Sequence, residues 1–96
     1  MTPQEEIRRA ERAKQLLEDS LLKEAFDAVE EALLQGMRNA AIVDEKLRLR
    51  LLDRYEILHS LKSVLNGYIE TGKLARATLE LEEKRSLFQR MRDTYG

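Results

Sequence analysis

Residues 21–39 decide the fold, and they read LLKEAFDAVEEALLQGMRN. Apolar side chains recur in this stretch at spacings of three and four residues, which is the period of one face of an α-helix. That apolar face is made by Leu22, Phe26, Val29, Leu33 and Met37. The opposite side is acidic and carries Glu24, Asp27, Glu30 and Glu31. The stretch therefore predicts an amphipathic helix that buries one face against another part of the protein.

A longer helix is predicted downstream, from about Glu45 to Thr71, with Asp44 as its N-cap. The turn between the two helices is short, so they are expected to lie antiparallel as a helical hairpin. Gly72 predicts the end of the second helix, because a glycine just past a helix adopts the left-handed conformation that closes the last turn. Gly36, inside the first helix, indicates either fraying or a close contact with another helix.

Two further helices are predicted outside this hairpin. The first covers about residues 3–18, with Thr2 as its N-cap, and the pair Asp19-Ser20 separates it from the hairpin. The last covers about residues 73–93. The chain is therefore predicted to be a single all-α domain, residues 1–96, with a short N-terminal helix and a C-terminal helix around the hairpin.

The last helix carries a pattern that is typical of helices that pair. Leu74, Leu81 and Phe88 repeat every seven residues, and Lys84 interrupts the apolar row between them. We therefore expect a homo-oligomer that is held together by Leu74, Ala77, Leu81, Phe88 and Met91.

Composition excludes several classes of protein. The 96 residues suffice for one domain, and the absence of cysteine excludes a disulfide-stapled scaffold and a thiolate metal site. No apolar run is longer than the four residues 40–43, so neither a membrane span nor a signal peptide is predicted. The net charge of −1 argues against wholesale nucleic-acid binding, which needs a strong basic excess.

One spacing resembles a chemical motif, the pair Glu56 and His59 on the second hairpin helix. Glu-x-x-His is what ferritin-like bundles contribute to a two-metal site, although such a site needs carboxylates from neighbouring helices and usually a second copy of the pair. The alternative is an ordinary helix flank, and no metal or other cofactor is expected. Catalysis is not expected either, because no serine lies in a Gly-rich elbow. A small helical mutase would need several inward-facing arginines to clamp a dicarboxylate substrate, and only Arg54 falls near the presumed core face.

The charged surfaces leave two alternatives open. The acidic side formed by residues 24–31 is either an ordinary solvated face or the binding site of a basic protein partner. Nucleic-acid contact is the alternative function, through basic residues on the third and fourth helices. Those residues are Lys46, Arg48, Arg50, Arg54, Lys84, Arg85, Arg90 and Arg92.

Two stretches carry a resemblance to a known family. Residues 9–26 read RAERAKQLLEDSLLKEAF, and residues 69–75 read IETGKLA. Together they resemble small helical proteins encoded in tailed-bacteriophage and prophage genomes, whose pattern opens with RA-x-x-LL-x-(D)P-x-x-x-EAF and closes with TGKLA. The similarity covers about residues 8–76; Ser20 stands where relatives often have proline, and the tryptophan common in the middle section is missing.

The resemblance implies a phage-related protein and brings no catalytic residues. Such a protein is expected to be an accessory to virion assembly or DNA packaging, or a modulator of a host protein. It would act in the cytoplasm of the host bacterium or as part of the virion. The sequence therefore predicts a non-enzymatic helical protein that binds a phage or host protein and associates with itself.

Overall fold

The structure is a computed structural model and describes residues 1–95. It contains three α-helices over that range: α1 spans Pro3–Glu18, α2 spans Ser20–Asn39 and α3 spans Glu45–Tyr95. No strand occurs among these residues. The all-α prediction is confirmed.

Each helix begins at a capping side chain that the sequence identifies. Thr2 Oγ1 accepts a hydrogen bond from the backbone N–H of Glu5 at 3.2 Å. Asp19 Oδ1 accepts one from Leu22 at 2.8 Å, and Asp44 Oδ1 accepts one from Leu47 at 3.2 Å. Asp19 has an extended backbone (φ −65°, ψ 120°) and is both the C-cap of α1 and the N-cap of α2. These local bonds satisfy amide groups that a helix start leaves without an intrahelical partner.

Helices α1 and α2 together form one arm that runs antiparallel to α3. Along α1, Glu11 pairs with Arg76 at 3.5 Å, whereas Leu16 lies beside Leu65 in one groove. Along α2, Glu30 lies 3.8 Å from His59, and Gly36 meets Leu51 further down. Residue numbers therefore rise along the arm while they fall along α3. Contacts between α1 and α2 themselves are few, because the two helices follow each other end to end.

The prediction of separate third and fourth helices is wrong, because α3 continues through Thr71 and Gly72 without a break. Gly72 does not have a positive φ, so it does not close a helix end. It is buried where α1 crosses: a Cβ at this position would overlap the Cβ of Ala10 and lie 3.3 Å from the Glu6 carbonyl oxygen. The glycine therefore serves the close approach of two helices. Gly36 does likewise, since a Cβ there would lie 3.1 Å from Leu51 Cδ1.

The molecule is a rod. Its extents are 79 × 26 × 18 Å, and its radius of gyration is 22.1 Å, whereas a globular chain of this length has about 13 Å. The long dimension is that of α3 itself, because 51 residues at about 1.5 Å each span about 77 Å. Residues 80–94 of α3 are exposed on every side. We call residues 80–95 the overhang, because they extend beyond the contacts that α1 makes.

Burial within the hairpin is thin. Among the described residues, the buried apolar side chains are Ala13 and Ala75. Leucines such as Leu58 and Leu65 on the hairpin face of α3 are only half-buried. The accessible surface is 8002 Å², against about 5,700 Å² for a compact monomer of the same mass. A large apolar surface is therefore left to the solvent.

Candidate functional site

An exposed row of apolar side chains follows the C-terminal part of α3. Leu74 is 70% exposed, Leu81 64%, Phe88 69% and Met91 53%. We call this row, with the exposed Ala77, the C-terminal stripe. It consists of the residues predicted to mediate oligomerisation, and the structure leaves all of them uncovered.

The C-terminal stripe points away from the hairpin. The hairpin face of α3 includes Leu65, Gly72 and Leu79, which also repeat every seven residues. Leu74 and Leu81 each follow one of these residues by two positions, which corresponds to a rotation of about 200° around the helix. Helix α1 therefore packs on one side of α3, and the C-terminal stripe faces solvent on nearly the opposite side.

The apolar row of α3 that the arm covers does not continue into the overhang. Beyond Leu79, the positions that continue the hairpin face are polar: Glu83, Ser86, Arg90 and Asp93. Before Leu74, the positions that would extend the C-terminal stripe are also mostly polar, and they are Ser60, Ser63, Gly67 and Glu70. The stripe is therefore confined to the part of α3 around and beyond the end of the hairpin.

The acidic side predicted on α2 is corrected at one position. Glu24, Asp27 and Glu31 are exposed, as expected of a solvated face. Glu30 instead turns toward α3, where its Oε2 lies 3.8 Å from His59 Nε2 and 3.7 Å from Lys62 Nζ. Its side chain is 28% exposed. Three acidic residues therefore remain available to a basic partner, and the fourth ties the two hairpin helices together.

The pair Glu56 and His59 lies in a shallow groove of α3 with Tyr55. The Tyr55 and His59 rings are 4.4 Å apart between centroids, and His59 Nε2 is inaccessible and has no hydrogen-bond partner. Over residues 1–95, the structure gathers no group of three or more His, Asp or Glu side chains that could hold a metal ion. Glu30 of α2 is the carboxylate that lies beside His59, with its Oε2 3.8 Å from Nε2, and a two-metal site needs further carboxylates and usually a second Glu-x-x-His pair.

The predicted basic residues fall into two exposed clusters on the single helix α3. Residues 46–54 lie near the start of that helix, and residues 84–92 lie on the overhang. The two clusters are separated by about 45 Å along the helix axis, at about 1.5 Å per residue. They are therefore independent surfaces and not one continuous nucleic-acid-binding face.

Sequence reasoning missed an arginine-rich groove between α1 and α3. Arg8, Arg9 and Arg12 line it together with Leu16 and Tyr68, and its volume is about 500 Å³. The Arg9 guanidinium lies 4.0 Å from the centre of the Tyr68 ring, a cation–π contact that fixes α1 on α3. The signal was the spacing of three and four residues between these positions, which places them on one helix face.

A second missed pattern is in residues 67–73, which read GYIETGK. This is the glycine and lysine spacing of a phosphate-binding loop, but Leu74 stands where that motif has serine or threonine. In the structure the whole segment lies inside α3. Its backbone N–H groups are directed along the helix and cannot form the loop that cradles a phosphate.

Comparison with known proteins finds no matching family model, no similar curated protein and no similar solved structure. Within residues 1–95, none of the helices has an apolar stretch long enough to cross a lipid bilayer.

Proposed function

We propose that this chain is a non-enzymatic protein-interaction protein that acts through the C-terminal stripe. The observation that carries the proposal is the exposure of Leu74, Leu81, Phe88 and Met91 in one row on the outer side of α3. Several large apolar side chains exposed along one side of a helix mark a surface that a partner can cover, because leaving them in water is unfavourable. The side chains of the row are also of the types that act as anchors in helix-to-helix recognition.

The non-enzymatic part of the proposal rests on the shape of the grooves. Those on α3 and between the helices are open and lie along the sides of a rod, such as the groove of Tyr55, Glu56 and His59. An enzyme of small substrates normally uses a concave pocket in which a few polar groups converge. A surface that is long, convex and apolar suits the binding of another helix better.

The biological setting of the proposal follows from the resemblance of residues 8–76 to helical proteins of phages and prophages. In that setting the chain acts as an accessory to virion assembly or DNA packaging, or modulates a protein of the bacterial host. It works in the host cytoplasm or as part of the virion. Glu24, Asp27 and Glu31 give a second, acidic surface for a basic partner.

A photo-crosslinking amino acid at position 81 tests the proposal in bacterial cells that make the protein. The matched control carries the same amino acid at position 21, where the native Leu21 is 73% exposed and lies on α2, off the stripe. We expect crosslinks to a protein, either another copy of the chain or a different one, at position 81 in clear excess over position 21. Equal yields at the two positions would contradict the proposal.

A further inference from the structure

We propose that a second copy of this chain covers the C-terminal stripe, and that the two overhangs pair antiparallel. This inference rests on the proposed function and names its partner. The stripe alternates spacings of three and four residues from Leu74 to Met91, which is the pattern of the contact positions of a two-stranded coiled coil. Ala77, Leu81, Lys84 and Phe88 are the intermediate positions.

The side chains fit each other in one antiparallel register. That register places Leu74 against Met91 of the second copy, Ala77 against its Phe88, and Leu81 against its Lys84. Each pairing occurs twice by symmetry, so the five residues of the stripe and Lys84 are all used. The smallest side chain meets the largest, which keeps the packing density even along the interface.

A parallel pair would be worse at two layers. It would place Lys84 against Lys84 of the second copy, two like charges in the centre of the interface, and Ala77 against Ala77. A parallel pair would gain an ion pair between Glu80 and Arg85 of the second copy. Exposed ion pairs of this kind contribute little to stability, so this one would not offset the unfavourable Lys84 layer. In the antiparallel register the methylene stem of Lys84 lies along Leu81, and its ammonium group reaches the solvent.

The geometry of the rod leaves room for this partner. The stripe is rotated by about 200° from the face that α1 covers, so a second α3 can lie on it without displacing α1. The chain exposes 8002 Å², about 2,300 Å² more than a compact monomer of its mass. Residues 80–94 are exposed on every side, so the overhang can contribute to an interface of the standard size, about 800 Å² on each partner.

Disulfide crosslinking tests the pairing directly, because the chain has no cysteine of its own. Leu74→Cys and Met91→Cys are prepared separately, and also refolded together as an equimolar mixture, before mild oxidation. In the antiparallel register the two Leu74 positions lie about 26 Å apart along the axis, far beyond the reach of a disulfide. We therefore expect the mixture to give a crosslinked dimer that contains one chain of each variant. Neither variant oxidised alone should give a crosslinked dimer.

Glu83→Cys is the matched control, because position 83 lies on the opposite side of the overhang and reports only random collisions. Efficient crosslinking of Leu74→Cys alone and of Met91→Cys alone would show a parallel pair and overturn the inference. Crosslinks no more frequent than those of Glu83→Cys, together with a monomer in light scattering of the native chain, would overturn it as well. If position 81 then crosslinked to a different protein in cells, the proposed function would survive the failure of this inference.

X-ray scattering of the native chain gives a second measurement that needs no substitution. Antiparallel overhangs overlap over about 39 Å and leave the two hairpins pointing away from each other. The largest dimension should then rise from the 79 Å of one rod to about 120 Å. A dimer whose largest dimension stays near that of one rod would overturn the antiparallel arrangement.

Discussion

Two regions of α3 differ in how they use the same helical repeat. In the hairpin region, residues 45–79, the apolar row that includes Leu58 and Leu65 faces the arm formed by α1 and α2. In the overhang, that row becomes polar, and Leu81 and Phe88 form another row on nearly the opposite side. One continuous helix thus has an apolar row that its own chain covers and, further along, another apolar row that its own chain leaves exposed.

The comparison also separates two kinds of stability. Contacts in the hairpin region are intramolecular, so their contribution to the free energy of unfolding does not depend on protein concentration. In the proposed dimer, contacts of the C-terminal stripe with a second copy are intermolecular, so their contribution would rise with concentration by mass action. The loss of stability caused by a substitution should therefore be independent of protein concentration in the hairpin region and dependent on it in the C-terminal stripe.

The largest effect is expected from Gly72→Ala. A Cβ at this position overlaps Ala10 and crowds the Glu6 carbonyl oxygen, so α1 has to move away from α3. We expect a loss of up to about 3 kcal/mol in the free energy of unfolding, the upper end of what overpacking typically costs, because the overlap is with the Cβ of a helix and not with a flexible side-chain end. Denaturant unfolding followed by circular dichroism measures it.

Gly67→Ala is the control for that substitution, because a Cβ there has no atom within 4 Å. It should stabilise the protein by up to about 1 kcal/mol through helix propensity alone. A double variant, Ala10→Gly with Gly72→Ala, moves the methyl group from one helix to the other and should recover most of the loss. A Gly72→Ala protein as stable as Gly67→Ala would show that α1 does not cross α3 at this position.

This glycine also shows where sequence reasoning ends. Thr2, Asp19 and Asp44 could be identified as helix starts because each cap bonds to an amide only three residues ahead. A glycine is favoured both at the end of a helix and where two helices cross closely. Which of the two roles Gly72 has depends on Ala10, which lies in another helix. That information is absent from the local pattern, so the predicted break was wrong.

The candidate site divides in the same manner. The C-terminal stripe was predictable because its residues repeat along one helix and no other element covers them. The turning of Glu30 toward His59 and Lys62 was not predictable, because it depends on the register between α2 and α3. The groove around Arg9 and Tyr68 depends likewise on how α1 lies on α3.

The next largest effect contrasts two leucines on the two faces of α3. Leu65→Ala removes a half-buried side chain of the hairpin and should cost about 2 kcal/mol at any protein concentration, at the low end for leucine because burial is partial. Leu81→Ala removes a side chain that is 64% exposed in the single chain. It should leave the melting temperature of dilute protein unchanged and abolish its rise with concentration. Thermal unfolding over a hundredfold concentration range distinguishes the two, and equal behaviour of the two variants would contradict the division of α3 into two faces.

A smaller effect is expected at the junction of α1 and α2. Asp19→Ala removes the side-chain acceptor that caps α2 at 2.8 Å and should lower the free energy of unfolding by about 1 kcal/mol. Asp19→Asn retains an acceptor and should lose much less. Since Asp19 lies in the arm, which packs on the hairpin region of α3, the loss of stability should not depend on protein concentration in either variant. If Asp19→Ala instead abolished the rise of the melting temperature with concentration, as Leu81→Ala is expected to do, the arm itself would take part in association.

The smallest effect concerns the contacts that Glu30 of α2 makes with α3. Glu30 bridges His59 and Lys62 at distances of 3.8 and 3.7 Å, and these side chains are between 28% and 43% exposed. Glu30→Gln should therefore cost no more than about 1 kcal/mol, and the loss should shrink as salt screens the charges. Glu31→Gln is the matched control, because Glu31 is 68% exposed and its ion pair, with Arg38 at 3.9 Å, lies within α2. Denaturant unfolding at low and high salt separates the two variants, since Glu30, and not Glu31, is the carboxylate of this pair that contacts α3. If Glu31→Gln lowered the free energy of unfolding more than Glu30→Gln, the carboxylate that contacts α3 would be that of Glu31. The register between α2 and α3 would then differ from the one described.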